Sequence, residues 1–527
     1  MPALDRLDTL RFSSILFPAS EPNGDTERPD PPDCFPDLNI DQIVASITAN
    51  RDEYNLRPFF HMSLTRVDAV NYRYEVFRDL EEGGVRGHIL AFAQQMRKMR
   101  AHLAQAEKLH YQYQKQSWFR DAVEIYCDAV TALARDLSES SVDSRGLRSL
   151  RDYLNDYCAG GWFETLAKET RRVKTGLSEI KYSLHIAGRR VTVGRFEPAP
   201  DYGQDVLQTF ERFKQGETKQ YAFDFPSGPE MDHVEAWVLD LVAQLNPEPF
   251  KSLDEYCARY AGYLDPTIAT FDREVQFYIA YLDHIERFKR TGLQFSHPSV
   301  SDQSKEVSAQ GAFDLALADK LLRERAVIVT NDFCLTRNER FLVISGPNQG
   351  GKTTFARMFG QLHYLASIGC PVPGKEARLF LFDRLFTHFE REEDIHNLSG
   401  KLEDDLLRIH KILEQATTRS IVIMNESFVS TTMSDALFLS KQIMFQIAEK
   451  DMLCVTVTFL DELASLTDTS VSMVSTIDAR DPARRTFKLI RKPADGLAYA
   501  AAIAEKYRLT YSAVMGRIAE RVTEGVR

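Results

Sequence analysis

Nine residues constrain this chain more than any others: Gly346-Pro347-Asn348-Gln349-Gly350-Gly351-Lys352-Thr353-Thr354. They fit G-x-x-x-x-G-K-[ST], with Gly346, Gly351, Lys352 and Thr353 at the fixed positions. The apolar run RFLVIS (340–345) precedes them, and a helical pattern follows from Lys352 to Ile368. A strand that turns through glycines into a helix is the context in which this pattern binds phosphate. The glycines let backbone N–H groups close round a phosphate, and the helix N-terminus adds partial positive charge. Lys352 is expected to reach the β- and γ-phosphates of a nucleotide, and the Thr353 hydroxyl to ligate Mg²⁺. ATP and Mg²⁺ are therefore the predicted cofactors.

The rest of the C-terminal half agrees with this reading. RLFLFDRLF (378–386), SIVIM (420–424), MLCVTVTF (452–459) and RTFKLIRKP (485–493) read as strands, with helical stretches between them at 400–416 and 434–450. Alternating strands and helices predict a parallel sheet covered on both faces. One strand, Ile421-Val422-Ile423-Met424, runs into Asn425-Glu426. An acid pair at such a strand end would hold Mg²⁺ with the first residue and orient the attacking water with the second. Glu426 keeps the second role, and Lys352 with Glu426 is the predicted catalytic pair. Asn425 can still reach the metal through a water, without charge, at a cost of about 10–100-fold in metal affinity or activity. The alternative is that Asn425 merely satisfies a buried backbone group.

A chain of 527 residues is too long for one core. Residues 1–37 contain a Pro- and Asp-rich stretch and read as an exposed extension or linker. Residues 38–175 carry apolar residues at helical spacing, including one long run (88–137) that fits either a lever or a helical bundle. Around 180–196 the period falls to two on either side of Ala187-Gly188, which predicts a hairpin inside a small β-containing segment, 176–228. Helical pattern returns over 229–300, and 301–527 is the nucleotide-binding domain. The net charge is −11, so contact with a polyanion requires a local basic face. The stretch 171–195 offers Arg171, Arg172, Lys174, Lys181, Arg189, Arg190 and Arg195 against one acid, Glu179. It is either a solvated hairpin face or a set of DNA phosphate contacts made by Arg171, Arg172, Lys174, Arg189, Arg190 and Arg195. Seven scattered cysteines without a C-x-x-C pair argue for a reducing compartment, and no apolar run is long enough for a membrane helix. A cytoplasmic protein without membrane contact is expected.

The wording around the motif is more specific than a generic phosphate loop. GPNQGGKTT resembles the G-P-N-M-G-G-K-S-T of the MutS family of DNA mismatch-repair ATPases. ASIGCPVPGKEARLFLFDRLFTHF (366–389), NESFVSTTMSDA (425–436) and the closing stretch 486–518 resemble family segments in the same order. RVDAVNYRYEVFRDLE (66–81) is similar to the start of the family's helical core. The resemblance implies a shortened member without the mismatch-recognition and connector domains. Its fold would be an α/β P-loop (ABC-type) ATPase domain with an N-terminal, mostly α-helical lever or core and a small β-containing clamp-like segment. It implies a homodimer with composite sites, in which Ser399 of NLSGKLEDDL would touch the other subunit's γ-phosphate. It also marks departures. Asn425 replaces the metal aspartate, Val429 an arginine and Phe459 a switch histidine, and the signature around Ser399 is altered. Two functions follow: a nucleotide-gated dimer acting on duplex or branched DNA in repair or recombination, or a slow-hydrolysing protein-interaction switch without a direct DNA role.

Overall fold

The computed structural model describes residues 12–18, 27–82, 84–188, 190–196, 231–390, 400–477, 485–494, 511 and 514–515. The chain divides into two compact units, one formed by 1–78, 144–146 and 273–527, the other by 79–143 and 147–272.

The second unit is built mainly of helices. The run expected to be one long helical stretch breaks at Leu109-His110-Tyr111 into Val85–Lys108 and Gln112–Glu139. These two helices pack against each other rather than forming one continuous rod. The reason lies in the apolar stripes: Ile89, Phe92, Met96 and Met99 on one, Val123, Val130, Leu133 and Leu137 on the other, all buried. Helices Gly161–Ser178, His233–Leu245 and Pro247–Arg259 also belong here. The expected hairpin forms from β1 (Tyr182–Ala187) and β2 (Arg190–Arg195), paired antiparallel, with Gly188 at φ 61° in the turn.

The first unit holds the remaining strands: β3 (Phe295–Ser296), β4 (Ser299–Ser301), β5 (Val307–Ala312), β6 (Asn331–Leu335), β7 (Phe341–Ser345), β8 (Val372–Pro373), β9 (Glu376–Phe380), β10 (Leu385–Phe389), β11 (Ile421–Asn425), β12 (Leu453–Val457), β13 (Ser470–Ile477) and β14 (Arg485–Arg491). Six form the main sheet in the order β10-β11-β12-β7-β13-β14, parallel except for β14, which runs antiparallel at the edge. Every residue of β7, β11 and β12 is buried, which is why these strands read as unbroken apolar runs instead of alternating ones. A second sheet has the order β4-β9-β5-β6.

Of the expected exposed linker at 1–37, residues 28–31, 33 and 36 are indeed exposed, whereas Phe12, Phe17 and Cys34 are buried within the same stretch. Ile15 and Leu16 have no exposed surface, and Phe35 opens a short helix, Phe35–Leu38, at 1% exposure. Polar groups fix the segment. Glu274, itself buried, accepts from Ser14 Oγ and the Ile15 N–H, and fully buried Arg73 donates to the Leu16 and Ile368 carbonyls. The prolines and aspartates at 29–31, 33 and 36 face solvent as their chemistry suggests, and the buried Cys34 and Phe35 lie between them. No described helix is long and apolar enough to cross a membrane. All seven cysteines are free, and Cys34, Cys127, Cys370 and Cys454 are buried.

Candidate nucleotide-binding site

The site grows out of the C-terminal ends of β7 and β11. β7 ends at Ser345, the loop turns through Gly346 (φ 115°), Gln349 (φ 59°) and Gly351 (φ 90°), and the helix Lys352–Ser367 begins. Gly350 is required for space: a Cβ there would lie 2.3 Å from Ser475 Oγ and 2.8 Å from the Pro347 carbonyl oxygen. Ser475 on β13 donates its hydroxyl to the Gly350 carbonyl at 2.6 Å, so the neighbouring strand pins the loop.

Lys352 is buried, and its Nζ donates to the Gly346 carbonyl (2.9 Å) and to Asn348 Oδ1 (3.1 Å). The ammonium thus folds back over its own loop. Burial lowers its pKa, while the Glu426 and Asp461 carboxylates oppose that shift and Arg485 adds to it. Glu426 Oε1 lies 3.8 Å from Lys352 Nζ. Thr353 Oγ1 donates to Asn425 Oδ1 at 2.9 Å. The two halves predicted from separate stretches of sequence therefore meet, with Lys352 and Thr353 facing Asn425 and Glu426. Pro347 and Thr354 complete the loop and the first helical turn.

The turn after β11 is strained. Glu426 (φ 51°) and Phe428 (φ 64°) both adopt the left-handed region, which costs a non-glycine residue on the order of 1–3 kcal/mol. The Glu426 N–H donates to the Val457 carbonyl, and Phe428 is buried, so packing holds the strain in place. Thr432 then caps the helix Met433–Glu449 by accepting from the Asp435 N–H. Val429 and Phe459 are both exposed, at 37% and 42%.

As a metal site the arrangement is weak. Thr353 and Asn425 present oxygen donors of the type Mg²⁺ takes, but both are neutral. Among the described residues no group of three or more His, Cys, Asp or Glu is placed to hold a metal. A metal here would depend on the phosphates of a nucleotide for its anionic ligands.

Beside the loop lies a cavity of about 720 Å³. Gly351, Lys352, Thr353 and Glu426 line one end, and Phe313, Leu317, Leu321, Ile328 and Val329 make an apolar wall. Phe487 on β14 lines it too, at φ 59°. Asn331 holds Phe487 in that shape: its Nδ2 donates to the Phe487 carbonyl (3.1 Å), and its Oδ1 accepts from the Leu489 N–H (2.8 Å). Sequence reasoning missed Asn331, Ser475, Arg485 and Phe487. The first three act through contacts made far along the chain, and only the single aromatic at 487 on a polar edge strand gave a signal.

A segment of this unit, residues 342–511, matches the family model MutS domain V. This segment is similar to MutS proteins. The chain is 25% identical over 310 residues to the DNA mismatch repair protein MutS of Thermosipho melanesiensis, covering 57% of this chain and 35% of that protein. It is 32% identical over 132 residues to the MutS protein homolog him-14 of Caenorhabditis elegans, covering 25% of this chain and 15% of that one. The chain spans about a third of the length of the curated MutS relatives it matches.

The remaining predicted positions fall elsewhere. Ser399 and Arg189 lie outside the described residues. Arg171, Arg172 and Lys174 are exposed on the helix Gly161–Ser178, and Lys174 is paired with Glu124 at 2.7 Å. In the hairpin, Ala187 faces Arg190 and Tyr182 faces Arg195. Side chains alternate along a strand, so Arg190 and Arg195 point to opposite faces. The face of Arg195 also carries Tyr182, Leu184, Ile186 and Val191, all exposed.

Proposed function

We propose that this MutS-like chain binds ATP at the loop 346–354 and hydrolyses it slowly, and that the nucleotide state governs pairing with a second copy and contact with DNA. The observation that carries the reading is the meeting of Lys352, Thr353, Asn425 and Glu426 at one end of the 720 Å³ cavity. The apolar wall would take the base, and the loop amides with Lys352 would take the phosphates. Thr353 and Asn425 would hold Mg²⁺ directly or through water, and the metal would neutralise phosphate charge. Glu426 would orient the attacking water, with its position fixed by the strained turn. Phe459 and Val429 are exposed apolar residues where the resembled family has a histidine and an arginine, which fits slow turnover. Lys352→Ala is expected to abolish ATP binding, and Glu426→Gln to retain binding while stopping turnover. Normal turnover in Glu426→Gln would remove that residue from its role.

DNA contact would rest on Arg171, Arg172, Arg190 and Arg195, and would weaken steeply with salt. The apolar hairpin face favours a second reading, in which this unit binds a protein and the chain acts as a nucleotide-gated interaction switch. Binding to duplex, branched and single-stranded DNA, measured against salt for wild type and Arg190→Glu, separates the two. No binding at low salt, with or without ATP, excludes the DNA reading.

A further inference from the structure

We propose that this site holds nucleotide phosphates without requiring Mg²⁺, and that Arg485 supplies part of the charge a metal would bring. The inference rests on the nucleotide-binding reading above and goes further by assigning a phosphate-binding residue and a metal dependence.

The argument begins at position 425. Asn425 Oδ1 accepts the Thr353 hydroxyl at 2.9 Å, so the pair where a metal would sit is neutral and already satisfied. A carboxylate at this position would face the negative triphosphate, and only a cation between them would make the pairing favourable. An amide removes that repulsion. The same substitution that weakens metal binding therefore lowers the cost of binding the nucleotide alone.

The second observation is a further cation. Arg485 is the first residue of β14 and stands opposite Ile477 of β13. Its Nε donates to the carbonyl of Asn348, within the phosphate loop, at 3.3 Å. Its position is fixed by its surroundings. Thr486 pairs with Thr476 across the two strands, and Ser475 anchors the loop at Gly350. Lys352 Nζ donates to the Asn348 side chain at 3.1 Å, so both cations contact the same loop residue. Two cations thus converge on the loop where the carboxylates nearby are Glu426 and Asp461. A guanidinium can bind phosphate oxygens in a bidentate way and keeps its charge at any accessible pH. Arg485 lies outside the phosphate-loop motif, so no pattern search over 346–354 would find it.

The test is isothermal titration calorimetry of the full chain with ATPγS, in Mg²⁺ and in EDTA. Wild-type affinity is expected to differ by less than about tenfold between the two conditions. Arg485→Ala is expected to lose about tenfold or more in EDTA and clearly less in Mg²⁺, with Arg485→Lys recovering most of the loss. Asn425→Asp is expected to weaken binding in EDTA by about tenfold or more while preserving it in Mg²⁺. Circular dichroism and thermal unfolding establish that each variant is folded. Wild type that binds in Mg²⁺ but not in EDTA overturns the proposal, and so does an Arg485→Ala loss that is equal in both conditions. Wild type that binds in neither condition instead refutes the nucleotide site itself.

Discussion

Gly360 lies in the middle of the phosphate-loop helix and offers a quantitative test of how the N-terminal segment is packed. A Cβ at this position would lie 2.7 Å and 2.8 Å from the two methyl carbons of Leu38, and 2.8 Å from Ile423 Cδ1. Gly360→Ala gains about 1 kcal/mol of helix propensity but costs about 1–3 kcal/mol in overpacking, a net loss of up to about 2 kcal/mol. Leu38 has no exposed surface, so Leu38→Ala alone costs about 2–5 kcal/mol. The double variant removes two of the three close contacts, because Leu38 loses both methyls. Its loss should fall short of the sum of the single losses by about 1–2 kcal/mol. Thermal unfolding reads this as roughly 1–2 °C per kcal/mol for a unit of this size. The double variant should therefore melt at or above the temperature of Leu38→Ala alone. Strict additivity, or a Leu38→Ala change below about 1 kcal/mol, would show that residues up to 38 do not pack on this helix as described.

Two further perturbations test other parts of the same unit. Asn331→Ala leaves the Leu489 N–H without its acceptor and releases Phe487 from its left-handed shape; it should lower stability by about 1–3 kcal/mol and weaken ATP binding, and unchanged affinity would take Phe487 out of the binding wall. Burial pushes the Glu274 carboxyl up to about 7 from its ordinary 4.5. The folded state therefore holds this proton more tightly than the unfolded state. The resulting stability is complete below about pH 4.5 and is lost as pH rises through about 7, a swing of about 3 kcal/mol. Glu274→Gln should flatten the melting temperature over that window relative to wild type, and identical pH profiles would show that Glu274 does not titrate there.

The phosphate loop and its fold class were legible because their chemistry is local. Glycines at 346 and 351, a lysine and a hydroxyl stand at fixed spacing between a strand and a helix. The buried strands were legible for a similar reason, since burial on both faces writes an apolar run. The packing of residues 12–38 was not. Proline and aspartate mark the exposed turns at 28–33 but say nothing of the buried Phe35 among them, and the partners that hold 14–16, Arg73 and Glu274, lie elsewhere in the chain. The pairing of Asn425 with Thr353 was not read: the sequence suggested a metal-bound water or a backbone group as the partner of Asn425, because it gives the residue types and not the donor and acceptor. Arg485 and Asn331 were silent, since their contacts come from where the edge strand and β6 begin in space.

Gln361 of the phosphate-loop helix ties three separate stretches together. Its Nε2 donates to the Leu38 carbonyl and to Asp314 Oδ1, and its Oε1 accepts from the Leu315 N–H. The link to Leu38 spans 323 positions along the chain. On a ribosome adding about 5–20 residues per second, Leu38 would wait roughly 15–65 s for this partner to be made. During that interval Phe35 also lacks the Tyr364 ring it packs against, whereas Ile15, Leu16 and Phe17 can already meet Arg73 and Glu274, and the unit of 79–143 and 147–272 can already be complete. The nucleotide-binding unit is thus the last to close, and Phe35 and Leu38 are the early buried residues that wait longest for their partners as the chain is synthesised.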